Sequence, residues 1–335
     1  NELSQAFTAY NTRIVAPPHG SMLPMSPVRK NILMVACALG LLIPVVIIFI
    51  CENMNTRVRG RKDLESVTVP FIGEIPLFTR KKKGIFRKKP QEVRAIVVKE
   101  GSRDIINEAF RVLRTNLEFM TGKDKASNVI IVTSFNPGSG KSFLTMNIAV
   151  SFAIKGKKVL VIDGDLRHGS ASSYIDSPTK GLSDYLGGRI DNLNEIIVTN
   201  PKQKYLDILP VGTIPPNPTE LLFDDRLKQV IDTVREQYEY VLIDCPPIEL
   251  VADTQIIEKL ADRTIFVVRA GLLELSMLAE LEKIYGEKKY KNMSLILNGT
   301  EGSGGRYGYR YGYRYGYHYG YGSEYHYGSD EKYIE

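Results

Sequence analysis

Residues 31–50, NILMVACALGLLIPVVIIFI, run for twenty positions without a charge. At about 1.5 Å per residue, a helix of that length spans roughly the 30 Å hydrocarbon core of a bilayer. In lipid a lone segment satisfies its backbone only as a helix, so the run predicts a transmembrane helix. Pro44 is a poor guest in a soluble helix and is tolerated in a membrane span. A cleaved signal peptide is the rival reading, and a buried core helix the third. Against the signal peptide, polar-to-mixed residues fill positions 1–30, no small-residue cleavage site follows the run, and a basic stretch does.

The flanks predict orientation. Arg57, Arg59, Arg61, Lys62, Arg80, Lys81, Lys82, Lys83, Arg87, Lys88 and Lys89 follow the run, against Arg13, Arg29 and Lys30 before it. The positive-inside bias places the C-terminal side in the cytoplasm, with the span in the cytoplasmic (inner) membrane. These basic clusters are also placed to touch anionic membrane lipids, each charge contributing about 1 kcal/mol near the surface; a solvated linker that only stops translocation is the plainer alternative. The formal net charge of +6 raises nucleic-acid binding as a question, but the surplus lies beside the span, so no nucleic-acid partner is expected. Cys37, Cys51 and Cys245 have neither metal-ligand spacing nor a disulfide framework.

From about residue 100 to 300 short apolar runs alternate with helical segments. The runs at 128–134, 158–165, 205–212, 240–247, 263–270 and 293–299 are rich in β-branched residues and nearly unbroken, as strands covered on both faces are. Amphipathic stretches such as 141–155 and 219–237 lie between them. The expected fold is α/β: a mostly parallel sheet with helices on both faces, binding its ligand beyond the carboxyl ends of the strands.

SFNPGSGKS, residues 134–142, follows a strand and opens a helix. Gly138, Ser139 and Gly140 let backbone amides turn inward around phosphate oxygens, Lys141 reaches the β/γ phosphates, and the Ser142 hydroxyl suits Mg²⁺. Phe135 stands where the general P-loop pattern has its first glycine. A glycine-rich helix start without a ligand is the alternative. Two further runs, VLVIDGDLR and VLIDCPP, deliver Asp163, Asp165 and Asp244 to the same sheet edge, where a nucleotide's Mg²⁺ needs hard oxygen ligands. Capping or salt bridging would explain any one acid. Three acids together with Lys141 and Ser142 predict an ATP·Mg²⁺ site in a P-loop NTPase fold.

NPGSGKS, IDGDLR and VLIDCPP, in that order, with a tyrosine-rich C-terminus, resemble the bacterial tyrosine autokinases (BY-kinases) of the Wzc-like polysaccharide-copolymerase type. A partitioning ATPase of the deviant-Walker kind would carry a signature lysine at Asn136 and lack the tyrosines. The likeness extends to GTIPPNPTELL (212–222), to the proline-rich approach APPHGSMLPMSP, and to FIGEIP beyond the span. It also covers EAFRVLRTNLEF, whose Glu108, Arg111 and Arg114 are similar to the family's oligomerisation motif. On spacing alone these three share a helix face, and intrahelical pairing worth about 0.2–0.5 kcal/mol is the plain alternative. The resemblance implies a ring of like subunits, a polysaccharide export machinery and a tyrosine phosphatase as partners, and an earlier membrane helix and periplasmic domain in a longer chain of which this is the C-terminal portion.

Among residues 301–335 tyrosine occurs at 307, 309, 311, 313, 315, 317, 319, 321, 325, 327 and 333. Glycine between the rings gives a strand nothing to pack, so a disordered tail is expected. Tyr307, Tyr309, Tyr311, Tyr313, Tyr315, Tyr317, Tyr319, Tyr321, Tyr325 and Tyr327 are the expected phosphoacceptors, with Asp163 or Asp165 orienting the attacking hydroxyl and Lys141 at the phosphates. A sticky Tyr/Gly segment that is never modified is the alternative. The expected organisation is an approach segment (1–30), the span (31–50), a basic juxtamembrane linker (51–99), the kinase domain (100–300) and the tail (301–335). Two functions stand: a membrane-anchored tyrosine autokinase acting on neighbouring subunits in polysaccharide polymerisation and export, or a membrane-tethered P-loop ATPase scaffold without protein phosphorylation.

Overall fold

The computed structural model describes residues 29–53, 56–78, 95–122, 128–248 and 252–301, in two units divided between Asn55 and Thr56. The expected phosphoacceptor tyrosines, the approach segment up to residue 28 and the basic cluster at 80–89 lie outside the described residues.

The first unit is a single helix, α1 (Arg29–Asn53), with Pro44 inside it. Among the described residues it is the one helix long and apolar enough to cross a membrane.

The second unit runs β1 (Phe71–Pro76), α2 (Ile105–Thr121), β2 (Val129–Thr133), α3 (Lys141–Ala153), β3 (Val159–Asp163), α4 (Leu182–Leu186), β4 (Val198–Thr199), β5 (Leu206–Leu209), α5 (Pro218–Leu222), α6 (Asp225–Gln237), β6 (Tyr240–Asp244), α7 (Asp253–Glu258), β7 (Arg263–Arg269), α8 (Met277–Gly286) and β8 (Met293–Thr300). The strands form one sheet in the order β1-β8-β7-β2-β6-β3-β5-β4. Every pairing is parallel except that of β4 with β5 at the edge. Helices cross between the strands, so the carboxyl ends of the parallel strands collect on one edge.

Alternation along the strands divides the core in two. Val129, Ile131, Leu160, Ile162, Val241 and Ile243 face one way and pack with α6 and α8 through Leu227, Val230, Ile231, Val234, Leu281 and Ile284. Ile130, Val132, Val159, Val161 and Leu242 face the other and pack with α2 and α3 through Phe110, Leu113, Leu117, Leu144 and Ile148. Burying one Leu or Ile side chain contributes about 1.5–3 kcal/mol, which is why these strands carry apolar residues on both faces.

Three elements depart from the sequence pattern. The segment expected to be a linker contributes β1, which pairs with β8 in parallel. FIGEIP carries only three large apolar residues among Gly, Glu and Pro, too weak a pattern to mark an edge strand. α3 is not amphipathic but buried almost all round, because α2 covers the side turned away from the sheet. The stretch 219–237 divides into α5 and α6, the break marked by Asp224, whose side chain caps the second helix through the Arg226 N–H.

Candidate active site

β2 delivers the chain into the glycine-rich loop and α3 leads it out. Gly138 and Gly140 have φ of 75° and 86°, the left-handed region that glycine enters without strain. Gly140 is constrained twice, because a Cβ there would lie 2.3 Å from Asn298 Nδ2. The Asn298 amide donates to the Ser139 carbonyl at 2.8 Å, and the Ser139 hydroxyl donates to the Asn136 carbonyl at 2.7 Å. The loop is thus held in shape by its own side chains and by the end of β8. Lys141, the first residue of α3, is buried and donates from Nζ to Ser134 Oγ at 3.2 Å. Ser142 follows it on the first turn, half-buried.

The acids stand at the ends of the neighbouring strands. Asp163 ends β3 and Asp244 ends β6, and the two are register partners. Both are almost wholly buried. The Ser172 backbone N–H and hydroxyl both donate to Asp163 Oδ2, each at 2.6 Å. Asp163 Oδ1 and both carboxylate oxygens of Asp244 have no hydrogen-bond partner. Burial pushes both carboxyls well above the usual carboxylate range. For Asp244 the Asp163 charge adds to that rise, and Ser142 and Lys141 oppose it. Asp165, just past β3, accepts the Arg167 and His168 backbone N–H groups at 3.2 Å each and lies 3.3 Å from His168 Nδ1.

Among the described residues no three His, Cys, Asp or Glu side chains form a closed metal-binding group. Yet three buried, unpartnered carboxylate oxygens beside a buried lysine and the Ser142 hydroxyl are costly unless a cation completes them. The donor set fits Mg²⁺, which takes one or two protein oxygens and leaves its other positions to water and phosphate.

The motif on α2 divides its labour. Arg111 pairs with Glu108 at 2.5 Å, the intrahelical alternative, and donates to the Ser102 carbonyl at 3.0 Å. Arg114 turns inward, buried against α3, where Nη1 donates to the Ser151 carbonyl at 2.8 Å. Burial lowers its pKa.

Sequence reasoning missed a second buried group. Asp253, at the start of α7, accepts Arg167 Nε at 3.1 Å and the Thr219 hydroxyl at 2.6 Å. Arg167 stands inside the IDGDLR motif, the one signal that could have drawn attention to it. Asn298 was also passed over, although its strand ends on the same edge.

A family model described as an AAA domain matches residues 127–295. The tyrosine-protein kinase YwqD of Bacillus subtilis is 35% identical over 209 residues, covering 62% of this chain and 87% of that protein. The chain belongs to the bacterial tyrosine-kinase family. The tyrosine-protein kinase etk of Escherichia coli is 31% identical over 282 residues, 81% of this chain and 38% of the relative, so the chain spans about two fifths of that protein's length. The solved kinase domain of Escherichia coli ETK superposes with a TM-score of 0.63 at 29% identity, covering 79% of this chain and all of that one. The BY-kinase fold and its nucleotide loop therefore account for the arrangement of β2, α3, β3 and β6, and membership of a P-loop kinase family implies ATP as the bound nucleotide.

Proposed function

We propose that the chain is an ATP-dependent protein-tyrosine autokinase, anchored in the cytoplasmic membrane by α1, that phosphorylates tyrosines among residues 307–327 of neighbouring copies. The observation that carries this reading is the register pairing of two buried strand-end carboxylates, Asp163 with one oxygen unpartnered and Asp244 with both, beside Lys141 of the glycine-rich loop.

In this reading the inward-turned amides of residues 138–142 and the N-terminus of α3 hold the phosphates, and Lys141 neutralises β/γ oxygens. Ser142, with Asp163 and Asp244, would hold Mg²⁺, which supplies charge neutralisation at the phosphates. Asp165, less deeply buried than Asp163 and Asp244 and held by the Arg167 and His168 backbone N–H groups, orients the tyrosine hydroxyl. The phenolic oxygen forms a bond to the γ-phosphorus, the bond to the β–γ bridging oxygen breaks, the hydroxyl proton passes to the carboxylate, and ADP leaves. Glu108 and Arg111, still half-exposed on α2, supply the surface for self-association, while Arg114 fixes the helix that presents them.

Each transfer adds about −1.5 to −2 charges to a tail that carries Arg306, Arg310, Arg314 and Lys332 against five acids. Accumulated charge then drives modified tails away from carboxylate-rich sites and loosens the ring. Control of polysaccharide polymerisation and export, with an export machinery and a phosphatase as partners, follows from the resemblance of the motifs to the Wzc-like kinases.

Incubation with γ-labelled ATP tests the reading. Label is expected on the tail, and Lys141→Met should remove at least about 10²-fold of it, the scale of losing one charge-stabilising donor. Release of free phosphate with no labelled protein would establish the ATPase scaffold instead.

A further inference from the structure

We propose that Asp253, Arg167 and Thr219 form a clamp that fixes the Asp165 carboxylate, making all three positioning residues for phosphoryl transfer. The proposal rests on Asp165 acting as the group that orients the acceptor.

Asp253 is fully buried, and both its oxygens are engaged: Oδ2 accepts Arg167 Nε at 3.1 Å, and Oδ1 accepts the Thr219 hydroxyl at 2.6 Å. Arg167 Nη2 donates to Thr219 Oγ1 at 2.9 Å, closing the triangle. Three elements meet in it: α7 brings Asp253, α5 brings Thr219, and the segment after β3 brings Arg167. A charge pair at a fully buried carboxylate is not a solvated surface bridge, because losing one partner strands the other.

Arg167 works at both ends. Its guanidinium is gripped by Asp253 and Thr219, while its backbone N–H donates to Asp165 Oδ1 at 3.2 Å. The other partners of Asp165 are the backbone N–H and ring of His168, one residue further on. The Asp165 carboxylate is held by the two residues that follow Leu166, so its place follows the place of the Arg167 backbone. Since α7 comes nine residues after Asp244, the clamp also ties the segment after β3 to the segment after β6. The contacts that shape the nucleotide loop, Ser139 with Asn136 and Asn298, and Lys141 with Ser134, use none of the three clamp residues. Clamp and nucleotide grip are therefore separable, and small misplacement of an orienting group costs rate rather than nucleotide affinity.

The experiment measures tail labelling by the full chain in detergent, with kcat and the KM for ATP obtained separately and the thermal midpoint recorded. Thr219→Val keeps the side-chain shape and removes the hydroxyl; Thr219→Ser keeps the hydroxyl. The expected result is a fall in kcat of about tenfold for Thr219→Val, with KM for ATP within about twofold, and recovery to within about twofold of the parent for Thr219→Ser. Arg167→Gln, whose side chain is partly exposed, should repeat the kcat fall and serves if Thr219→Val does not fold. A lowered thermal midpoint with unchanged kcat per folded molecule would mean a purely structural triangle and overturn the clamp alone. An unsubstituted chain that labels no tyrosine would overturn the kinase reading, and the clamp with it. Asp165→Asn with undiminished kcat would overturn the orienting role, and equally the clamp.

Discussion

The Asn298 side-chain amide donates to the Ser139 carbonyl at 2.8 Å across space that a Cβ on residue 140 would fill. The nucleotide loop is thus shaped from outside its own sequence, by a strand that arrives more than 150 residues later.

Gly140→Ala should therefore fail for two separable reasons. The left-handed φ costs about 1–2 kcal/mol for a residue with a Cβ, and the methyl collides with Asn298. Affinity for a fluorescent ATP analogue is expected to drop at least tenfold, about 1.4 kcal/mol. Adding Asn298→Ala removes the collision and leaves the backbone strain, so part of the affinity should return. A double variant no better than Gly140→Ala would mean that the collision costs no more than the Asn298–Ser139 hydrogen bond that the second substitution removes.

The paired acids make a prediction about pH. Burial raises the pKa of Asp163 and Asp244 in the folded chain, so between the ordinary carboxylate range and those raised values the folded state holds protons that the unfolded state has released. The contribution of these two groups to the stability of the nucleotide-free chain is then full below about pH 4 and declines as pH rises through the folded pKa values. Asp244→Asn should flatten that decline and stabilise the chain at pH 8 by about 1 kcal/mol or more, while abolishing tail labelling. Urea unfolding from pH 5 to 9 checks it, and equal slopes in parent and variant would contradict it.

The two arginines of α2 should behave oppositely. Arg114→Ala removes a buried donor to Ser151 and leaves a void between α2 and α3, which is expected to cost about 2–4 kcal/mol of unfolding free energy. Arg111→Ala loses a half-exposed pair and should change stability by less than about 0.5 kcal/mol. Arg111→Ala should nonetheless reduce the mass of the assembly measured by light scattering. If both variants destabilise equally, Arg111 is no more available to a partner than Arg114.

What was legible in the sequence follows from which interactions are local. β2, β3, β5, β6, β7 and β8 announced themselves because a strand covered on both faces is apolar at most positions. Lys141, Ser142, Asp163 and Asp244 share an edge because parallel strands joined by crossing helices end on the same side. β1 was hidden because an edge strand needs few apolar residues and can carry Gly73 and Pro76. The inward turn of Arg114 depends on Ser151 of α3, and the Asp253 triangle joins positions 86 and 34 residues apart, so no local pattern of charges could show either.

Ser172 offers the last test, because it serves two partners at once. Its hydroxyl donates to Asp163 Oδ2 at 2.6 Å and accepts the Val211 backbone N–H at 2.8 Å. Ser172→Ala leaves Asp163 with the Ser172 backbone N–H as its remaining Ser172 donor and deprives a buried N–H of its acceptor, a loss of about 1–3 kcal/mol. The Ser172 donors hold the Asp163 pKa down against desolvation, so removing the hydroxyl should raise it further. If Asp163 must be ionised to take part in transfer, the acid limb of the pH–rate profile should move to higher pH in the variant, with the alkaline limb unmoved. Measuring tail labelling per folded molecule between pH 5 and 9 separates that shift from the stability loss. An acid limb that stays in place while the thermal midpoint falls would show that Ser172 supports the fold of this loop without tuning the carboxylate.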